Sequence, residues 1–195
     1  MIIMVAGAWL LMAFDRMDQL AARGLRSLRF FTTLSNIMVA VAAAYWLAKG
    51  KTRPDKAERF KFVAAAAVFL TFTVVAFFLG PFYGYAKMYT RANFWFHLVV
   101  PVLAVVEAVF LSEYRAAKKD ALICVIPTVV YGFGYLANIL INGMGTWPDH
   151  YNDWYGFMSW GIPVGLVIFV FISFLTWLLA RLIRFLNGKV NARRK

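Results

Sequence analysis

Apolar runs close to the length of a membrane-spanning helix occupy most of this 195-residue chain. A spanning helix needs about 20 apolar residues, because the hydrocarbon layer of a bilayer is ~30 Å thick. Every backbone N–H and C=O must be paired within that layer, and barrel strands would instead alternate in polarity over about ten residues. The sequence therefore predicts an all-α, polytopic transmembrane bundle that forms one domain. About six spans are expected, near residues 1–14, 30–47, 60–80, 96–111, 121–141 and 160–180.

The segment 15–29 predicts an amphipathic helix lying on the membrane surface. Its apolar side chains share one helical face, and its charged side chains fall on the other faces. Such a helix lies in the headgroup layer with its arginines directed toward phosphates, and a solvated loop is the alternative. The preceding run at 1–14 is short for a span, since a helix of that length reaches only ~21 Å. It also lacks the basic residues that precede the apolar part of a secretory signal.

The basic residues lie in the links between the apolar runs and predict the topology. Of the 21 Lys and Arg, 15 fall in the links 49–61 and 115–119 and in the segment from 181 onward. The positive-inside rule puts these regions in the cytoplasm, and six spans then put both termini there. Residues 188–195 are expected to be a basic cytoplasmic tail. The net charge of +12 is better explained by attraction to anionic headgroups than by binding to nucleic acid.

Polar side chains inside the apolar runs are the candidates for function, because lipid offers them no partners. Thr32, Ser35 and Asn36 open the second run, and their i, i+3, i+4 spacing puts them on one face. His97 opens the fourth run, four residues before Pro101. That proline has no N–H to give to the His97 carbonyl, which therefore lacks its usual helical partner. Hydrogen bonding between helices is the alternative role for each of these side chains.

A third polar face follows the fifth run and is covered by the loop after it. With the predicted topology, all three faces reach a similar level near the outer surface. The third face consists of Tyr131, Tyr135, Asn138 and Asn142, and the loop adds Asp149, His150 and Asp153.

A hydroxyl, an imidazole and amide donors at one level are the groups needed to attack an ester. Glu107 is ten residues from His97 on the same predicted helix, about 15 Å along its axis. It therefore cannot orient the imidazole, and a third catalytic carboxylate would have to come from Asp149 or Asp153.

A zinc site is the competing chemistry for the same residues. The chain has only two histidines, whereas catalytic zinc usually takes three protein ligands. His97, His150 and one loop aspartate supply three ligands only if the loop folds inward. We therefore expect no metal and no other cofactor. Cys124 is the single cysteine and can form no internal disulfide.

Two short motifs connect these residues with a known family. The first is Phe30-Phe31-Thr32 followed by Ser35-Asn36, and the second is a histidine that opens a helix with a proline shortly after it, at 97–101. They resemble the androgen-induced membrane hydrolase family, multi-pass proteins with bacterial six-pass relatives. Its animal members cleave fatty acid esters of hydroxy fatty acids. The loop at 152–156 is similar to the bacterial branch and differs from the Tyr-Pro-Phe-Leu type of the animal members, in which the proline also follows the histidine by one residue more.

The resemblance implies an integral membrane hydrolase of a lipid ester in a bacterial plasma membrane. Thr32 would be its nucleophile and His97 the general base, with Thr33 as the hydroxyl if the register differs by one. A lipid carboxylate would lie near a basic side chain at the interface. The substrate-binding residues expected are Arg29, Ser35, Asn36, Arg91, Asn138 and Asn142. The alternative function is a non-catalytic membrane protein that binds or transports a lipid or small solute.

Overall fold

A computed structural model describes residues 1–14, 24–50, 55–145 and 152–194, and in these ranges the chain forms helices and no strands. The all-α prediction is therefore confirmed. Five helices are long and apolar enough to cross a membrane, and a shorter apolar helix precedes them. The six helices are α1 Ile2–Phe14, α2 Phe31–Ala48, α3 Asp55–Tyr83, α4 Arg91–Leu111, α5 Lys118–Asn142 and α6 Ile162–Arg193.

The surface helix predicted at 15–29 is described only in its second half. Residues 15–23 lie outside the described part of the chain. Gly24–Arg29 form a short 3₁₀ helix, in which the Leu25 side chain is exposed and Ser27 is buried.

Helix α3 occupies the centre of the bundle and packs against α2, α4 and α6. Four consecutive alanines at 64–67 are all buried, and their small side chains let neighbouring backbones approach closely. Helix α1 packs against α2 and the beginning of α4, while α5 packs against α6. The beginnings of α2, α4 and α6 and the end of α3 therefore meet at one end of the bundle, called the site end below.

The beginning of α4 is joined to α2 by the side chain of Asn36. Trp95–Val99 form a π-helical turn, in which N–H groups pair with carbonyls five residues earlier. In this register the missing N–H of Pro101 leaves the Phe96 carbonyl without a helical partner. The Nδ2 group of Asn36 donates to that carbonyl oxygen at 3.2 Å. The sequence predicted that the His97 carbonyl would lack a partner. In the π-helical register the carbonyl affected is instead that of Phe96, and a side chain of a neighbouring helix pairs with it.

The end of α3 repeats this arrangement in a more exposed place. Val75–Leu79 form a second π-helical turn, and Pro81 removes the N–H that would pair with the Ala76 carbonyl. The hydroxyl of Tyr85 donates to that oxygen at 2.9 Å. Both helices are therefore irregular at the site end, and a side chain completes the hydrogen bonding in each.

At the opposite end, the last turns of α6 cap the end of α4. The Nδ2 group of Asn187 lies 2.9 Å from the carbonyl oxygens of both Ala108 and Ser112. Asn191 donates to the Ser112 carbonyl at 3.1 Å. These bonds satisfy carbonyls that a helix end leaves without partners. The basic segment predicted as a tail at 188–195 is therefore helical as far as Arg193, where α6 ends. Residue 195 lies outside the described residues.

A buried carboxylate joins α3 to the beginning of α5 at this opposite end. Asp120, 1% exposed, accepts the hydroxyl of Tyr114 at 2.8 Å and the N–H of Ala117 at 2.6 Å. Its other oxygen lies 2.9 Å from Nε of Arg59. Sequence reasoning had given Asp120 no role, since it stands among the lysines of an interhelical link.

Candidate functional site

The loop 152–161 folds over the beginning of α2. The hydroxyl oxygen of Tyr155 accepts the N–H of Phe31 at 2.9 Å. Its ring stacks on Phe157, with centroids 5.0 Å apart, and meets the edge of Phe30 at 5.8 Å. Helix α2 has no side-chain cap of its own, so the phenol takes the place of one.

Thr32 and His97 line the same cavity at the site end. The cavity has a volume of about 150 Å³, and α1, α2, α3, α4 and the 152–161 loop all contribute to its wall. Thr32 is the second residue of α2 and is half-buried. The structure thus brings together the two residues that the sequence predicted to be catalytic.

The hydrogen bonding of His97 determines which ring nitrogen is free to accept a proton. The Nδ1 atom lies 3.0 Å from the carbonyl oxygen of Met88, and the side chain is only 9% exposed. A carbonyl can only accept, so Nδ1 carries the proton and Nε2 keeps its lone pair. This is the tautomer that a general base requires.

The polar neighbours of Thr32 on α2 hold the backbone and do not line the cavity. The Thr32 carbonyl accepts Oγ of Ser35 at 3.0 Å and Nδ2 of Asn36 at 2.8 Å. The Ser35 hydroxyl is also 3.3 Å from Oγ1 of Thr71 on α3. Both side chains therefore fix α2 to its neighbours and set the position of Thr32.

A second, more apolar cavity shares part of its lining with the first. Its volume is about 110 Å³, and it extends among α2, α3, α5 and α6. Thr32, Leu79 and Tyr155 line both cavities. Thr33 is almost fully buried and lines only the first. Of the two adjacent threonines, Thr32 is therefore the one that lines both cavities.

The two arginines expected to hold a lipid carboxylate lie at different places near the site end. The guanidinium of Arg29 is 5.0 Å from the Phe30 ring centroid and 5.7 Å from that of Trp154. Arg91 begins α4 with a φ of 49° and borders an open apolar groove beside α1. In the described part of the chain, neither is among the side chains that line the two cavities.

The expected asparagines of α5 pair with each other away from both cavities. Nδ2 of Asn142 donates to Oδ1 of Asn138 at 3.0 Å, and the pair is exposed. Nδ2 of Asn152 caps the end of this helix through the Asn142 and Gly143 carbonyls, at 3.3 and 2.9 Å. These side-chain amides therefore pair with one another and with backbone carbonyls at the end of α5.

Asp153 organises the loop and is not a cavity residue. Its buried carboxylate accepts the hydroxyl of Tyr135, the N–H of Met158 and the hydroxyl of Ser159. Asp149 and His150, the other residues expected from this loop, lie outside the described residues.

Glu107 lies at the opposite end of the bundle, as expected from its ten-residue separation from His97 on the same helix. It forms an ion pair with Lys61 of α3, whose Nζ also lies 4.1 Å from the ring centroid of Trp46. Within the described ranges, no group of three or more His, Cys, Asp or Glu side chains is arranged to hold a metal ion.

Tyr155 is the site residue that sequence reasoning missed. It belongs to the loop at 152–156, which had been considered only as a point of resemblance. Burial raises the pKa of Tyr155 to about 12, and the Tyr131 hydroxyl and the N–H groups of Phe31 and Thr32 act in the opposite direction. A phenol in a tract of aromatic residues gives no sequence signal of its own, because its importance comes from lying over another helix.

Comparison with known proteins gives one family match. A family described as a protein of unknown function, DUF2628, matches residues 48–144, just under half of the chain. The matched part covers α3, α4 and α5, so it includes His97 but not Thr32. No curated protein and no solved structure matches the chain.

Proposed function

We propose that this protein is an integral membrane hydrolase that cleaves a lipid ester, with Thr32 as nucleophile and His97 as general base. The observation that carries the proposal is that both side chains line one cavity, although they come from different helices. The free Nε2 of the imidazole adds to this support, since a base must have a lone pair available.

The proposed reaction proceeds through an acyl-threonine. Oγ1 of Thr32 forms a bond to the ester carbonyl carbon while its proton passes to Nε2 of His97. The ester C–O bond then breaks, and the imidazolium returns the proton to the leaving alkoxide. Water activated by the same imidazole hydrolyses the acyl-threonine and restores both side chains. The sequence of steps balances without a metal or other cofactor.

The two cavities suggest how a lipid ester would bind. The acyl chain occupies the apolar cavity, and the leaving alcohol lies in the cavity that contains His97. Because Thr32 lines both cavities, the ester carbonyl would lie beside the nucleophile. A fatty acid ester of a hydroxy fatty acid, the substrate type that the family resemblance implies, has an apolar chain on each side of its ester group. The substrate enters from the bilayer between helices.

The proposed topology has six spans and both termini in the cytoplasm, with α1 as the first and shortest span. It is supported by the 15 of 21 Lys and Arg that fall in the links 49–61 and 115–119 and in the segment from 181 onward, which the positive-inside rule puts in the cytoplasm. The site then opens near the outer leaflet of what we propose is a bacterial plasma membrane. Anionic headgroups would surround the basic end.

Hydrolysis by the purified protein tests the proposal. Thr32→Ala and His97→Gln should each lower the turnover of a long-chain fatty ester, by roughly 10²–10⁴-fold for loss of the base. Thr73→Ala is the matched control, because among the described residues this half-buried threonine bonds within its own helix, to the Phe69 carbonyl at 2.8 Å. Wild-type turnover that persists in both catalytic variants would remove the mechanism, and loss in Thr33→Ala alone would move the nucleophile by one residue.

A non-catalytic lipid-binding or transport protein is the second candidate. It is favoured by the apolar cavity taken alone, since an apolar cavity between the helices of a bundle is a typical ligand site. This function requires that a fatty ester stabilise the protein against heat without being hydrolysed, and that Thr32 remain unlabelled by covalent hydrolase probes.

A further inference from the structure

The hydroxyl of Tyr155 accepts a hydrogen bond from α2 and keeps a proton of its own to donate. Its oxygen accepts the N–H of Phe31 at 2.9 Å. The Tyr131 hydroxyl is its neighbour, and Tyr131 donates its own proton to the Arg29 carbonyl at 2.6 Å. Tyr155 can therefore donate either to the Tyr131 oxygen or into the cavities that it lines together with Thr32.

The neighbourhood keeps this phenol protonated and in a fixed position. Its raised pKa leaves the neutral form dominant at neutral pH. The ring is held by Phe157 on one face and by the edges of Phe30 and Tyr131, whose centroids lie 5.8 and 6.3 Å away. A donor that is fixed before the reaction costs no reorganisation when charge develops.

Two other polar side chains near Thr32 already have partners in the described part of the chain. The indole N–H of Trp154 donates to the Tyr131 hydroxyl at 2.9 Å, and the Tyr131 hydroxyl donates to the Arg29 carbonyl at 2.6 Å. Asn93 lines only the cavity that contains His97, whereas Tyr155 lines both cavities, as Thr32 does. Tyr155 is therefore a donor located beside the nucleophile.

We infer that Tyr155 is a catalytic residue that donates its O–H to the ester carbonyl oxygen as Thr32 attacks the carbonyl carbon. The inference rests on the proposed function and deepens it. The negative charge that forms on the carbonyl oxygen is stabilised by this hydrogen bond, and the proton stays with the phenol. When the ester C–O bond breaks, the carbonyl reforms and the hydrogen bond weakens. Water attack on the acyl-threonine uses the same donor again.

Tyr155→Phe tests this role, because it removes the donor and keeps the aromatic ring. We expect kcat for a long-chain fatty ester to fall about 10²–10³-fold, the loss typical for one oxyanion donor, with KM little changed. Tyr85→Phe is the matched control, since its hydroxyl bonds to an exposed carbonyl and lines neither cavity. An unchanged kcat in Tyr155→Phe, with Thr32→Ala inactive, would overturn this inference and leave the proposed function standing. A wild-type protein that hydrolyses no ester would instead defeat the proposed function itself.

The affinity for an alkyl boronic acid distinguishes a hydrogen-bond donor from a residue that only maintains the structure. Its boron forms a tetrahedral anion with a nucleophilic hydroxyl, so its affinity reports stabilisation of the charged oxygen. Tyr155→Phe should weaken this affinity at least tenfold while leaving the affinity for an uncharged fatty alcohol unchanged. Equal weakening for both compounds would contradict the donor role.

Replacement of Tyr155 by 3-fluorotyrosine covers the case in which the phenylalanine variant does not fold. This residue keeps the ring and the accepting oxygen but has a more acidic O–H. A stronger donor should raise kcat, and a kcat equal to that of the wild type would count against the inference.

Discussion

The hydrogen bond from Asn36 of α2 to the Phe96 carbonyl of α4 can be tested by a double-mutant cycle that combines Asn36→Ala with Pro101→Ala. The Phe96 carbonyl lacks its helical N–H because of Pro101, and the Asn36 amide replaces that donor at 3.2 Å. Asn36→Ala should therefore destabilise the protein in the wild-type background. In Pro101→Ala, the new N–H can pair with a helical carbonyl, so the same substitution should cost less.

The magnitude follows from the two hydrogen bonds that Asn36 makes. A buried acceptor left without a partner costs about 1–3 kcal/mol, whereas bonds between membrane helices average about 0.6 kcal/mol. The Oδ1 atom of Asn36 is itself buried without a partner in the described part of the chain, and its removal offsets part of the loss. We expect a cost of about 1–2 kcal/mol for Asn36→Ala, and a coupling of roughly 1 kcal/mol with Pro101→Ala.

Unfolding in mixed micelles, followed by tryptophan fluorescence, measures the four free energies. Packing lost with the Asn36 side chain is the same in both backgrounds and cancels in the cycle. Tyr85→Phe is the control, because its hydroxyl completes the equivalent carbonyl in an exposed place, and its cost should stay below about 0.5 kcal/mol. Equal costs for Asn36→Ala in the two backgrounds would refute the link to the proline.

Two further predictions concern the opposite end of the bundle. Asn187→Ala removes the donors to the Ala108 and Ser112 carbonyls and should destabilise by about 1–2 kcal/mol, measured by the same unfolding assay with ester turnover unaffected. Arg59→Met should be more destabilising than Asp120→Asn, because it leaves a buried carboxylate without its cation, while the half-exposed arginine can be hydrated when the carboxylate is lost. The opposite order in the unfolding assay would contradict this.

The sequence predicted the elements of the bundle better than the contacts between them. Long apolar runs specify membrane helices almost by themselves, because the hydrocarbon layer admits no alternative for the backbone. Where α6 ends was not predictable, since Asn187 and Asn191 extend it only by reaching carbonyls of α4. With its Lys, Arg and Asn residues, the segment 187–195 has the composition of a solvated tail.

The candidate site was predictable where a residue carries its chemistry in its type and its depth. Thr32 and His97 met both conditions, and the structure brings them to one cavity. Depth alone misplaced Asn138 and Asn142, which end a helix that reaches the same level but pair with each other. Tyr155 had no signal, because its place over α2 depends on how a loop folds back.

Covalent labelling of the purified protein tests the central claim, a reactive Thr32 activated by His97, most directly. The wild type is treated with an alkyl fluorophosphonate, and the modified residue is identified by peptide mass spectrometry. We predict one adduct on Thr32, which His97→Gln slows at least a hundredfold and which prior incubation with a fatty ester delays. An adduct on another residue, or ester hydrolysis that continues with Thr32 fully replaced, would contradict it.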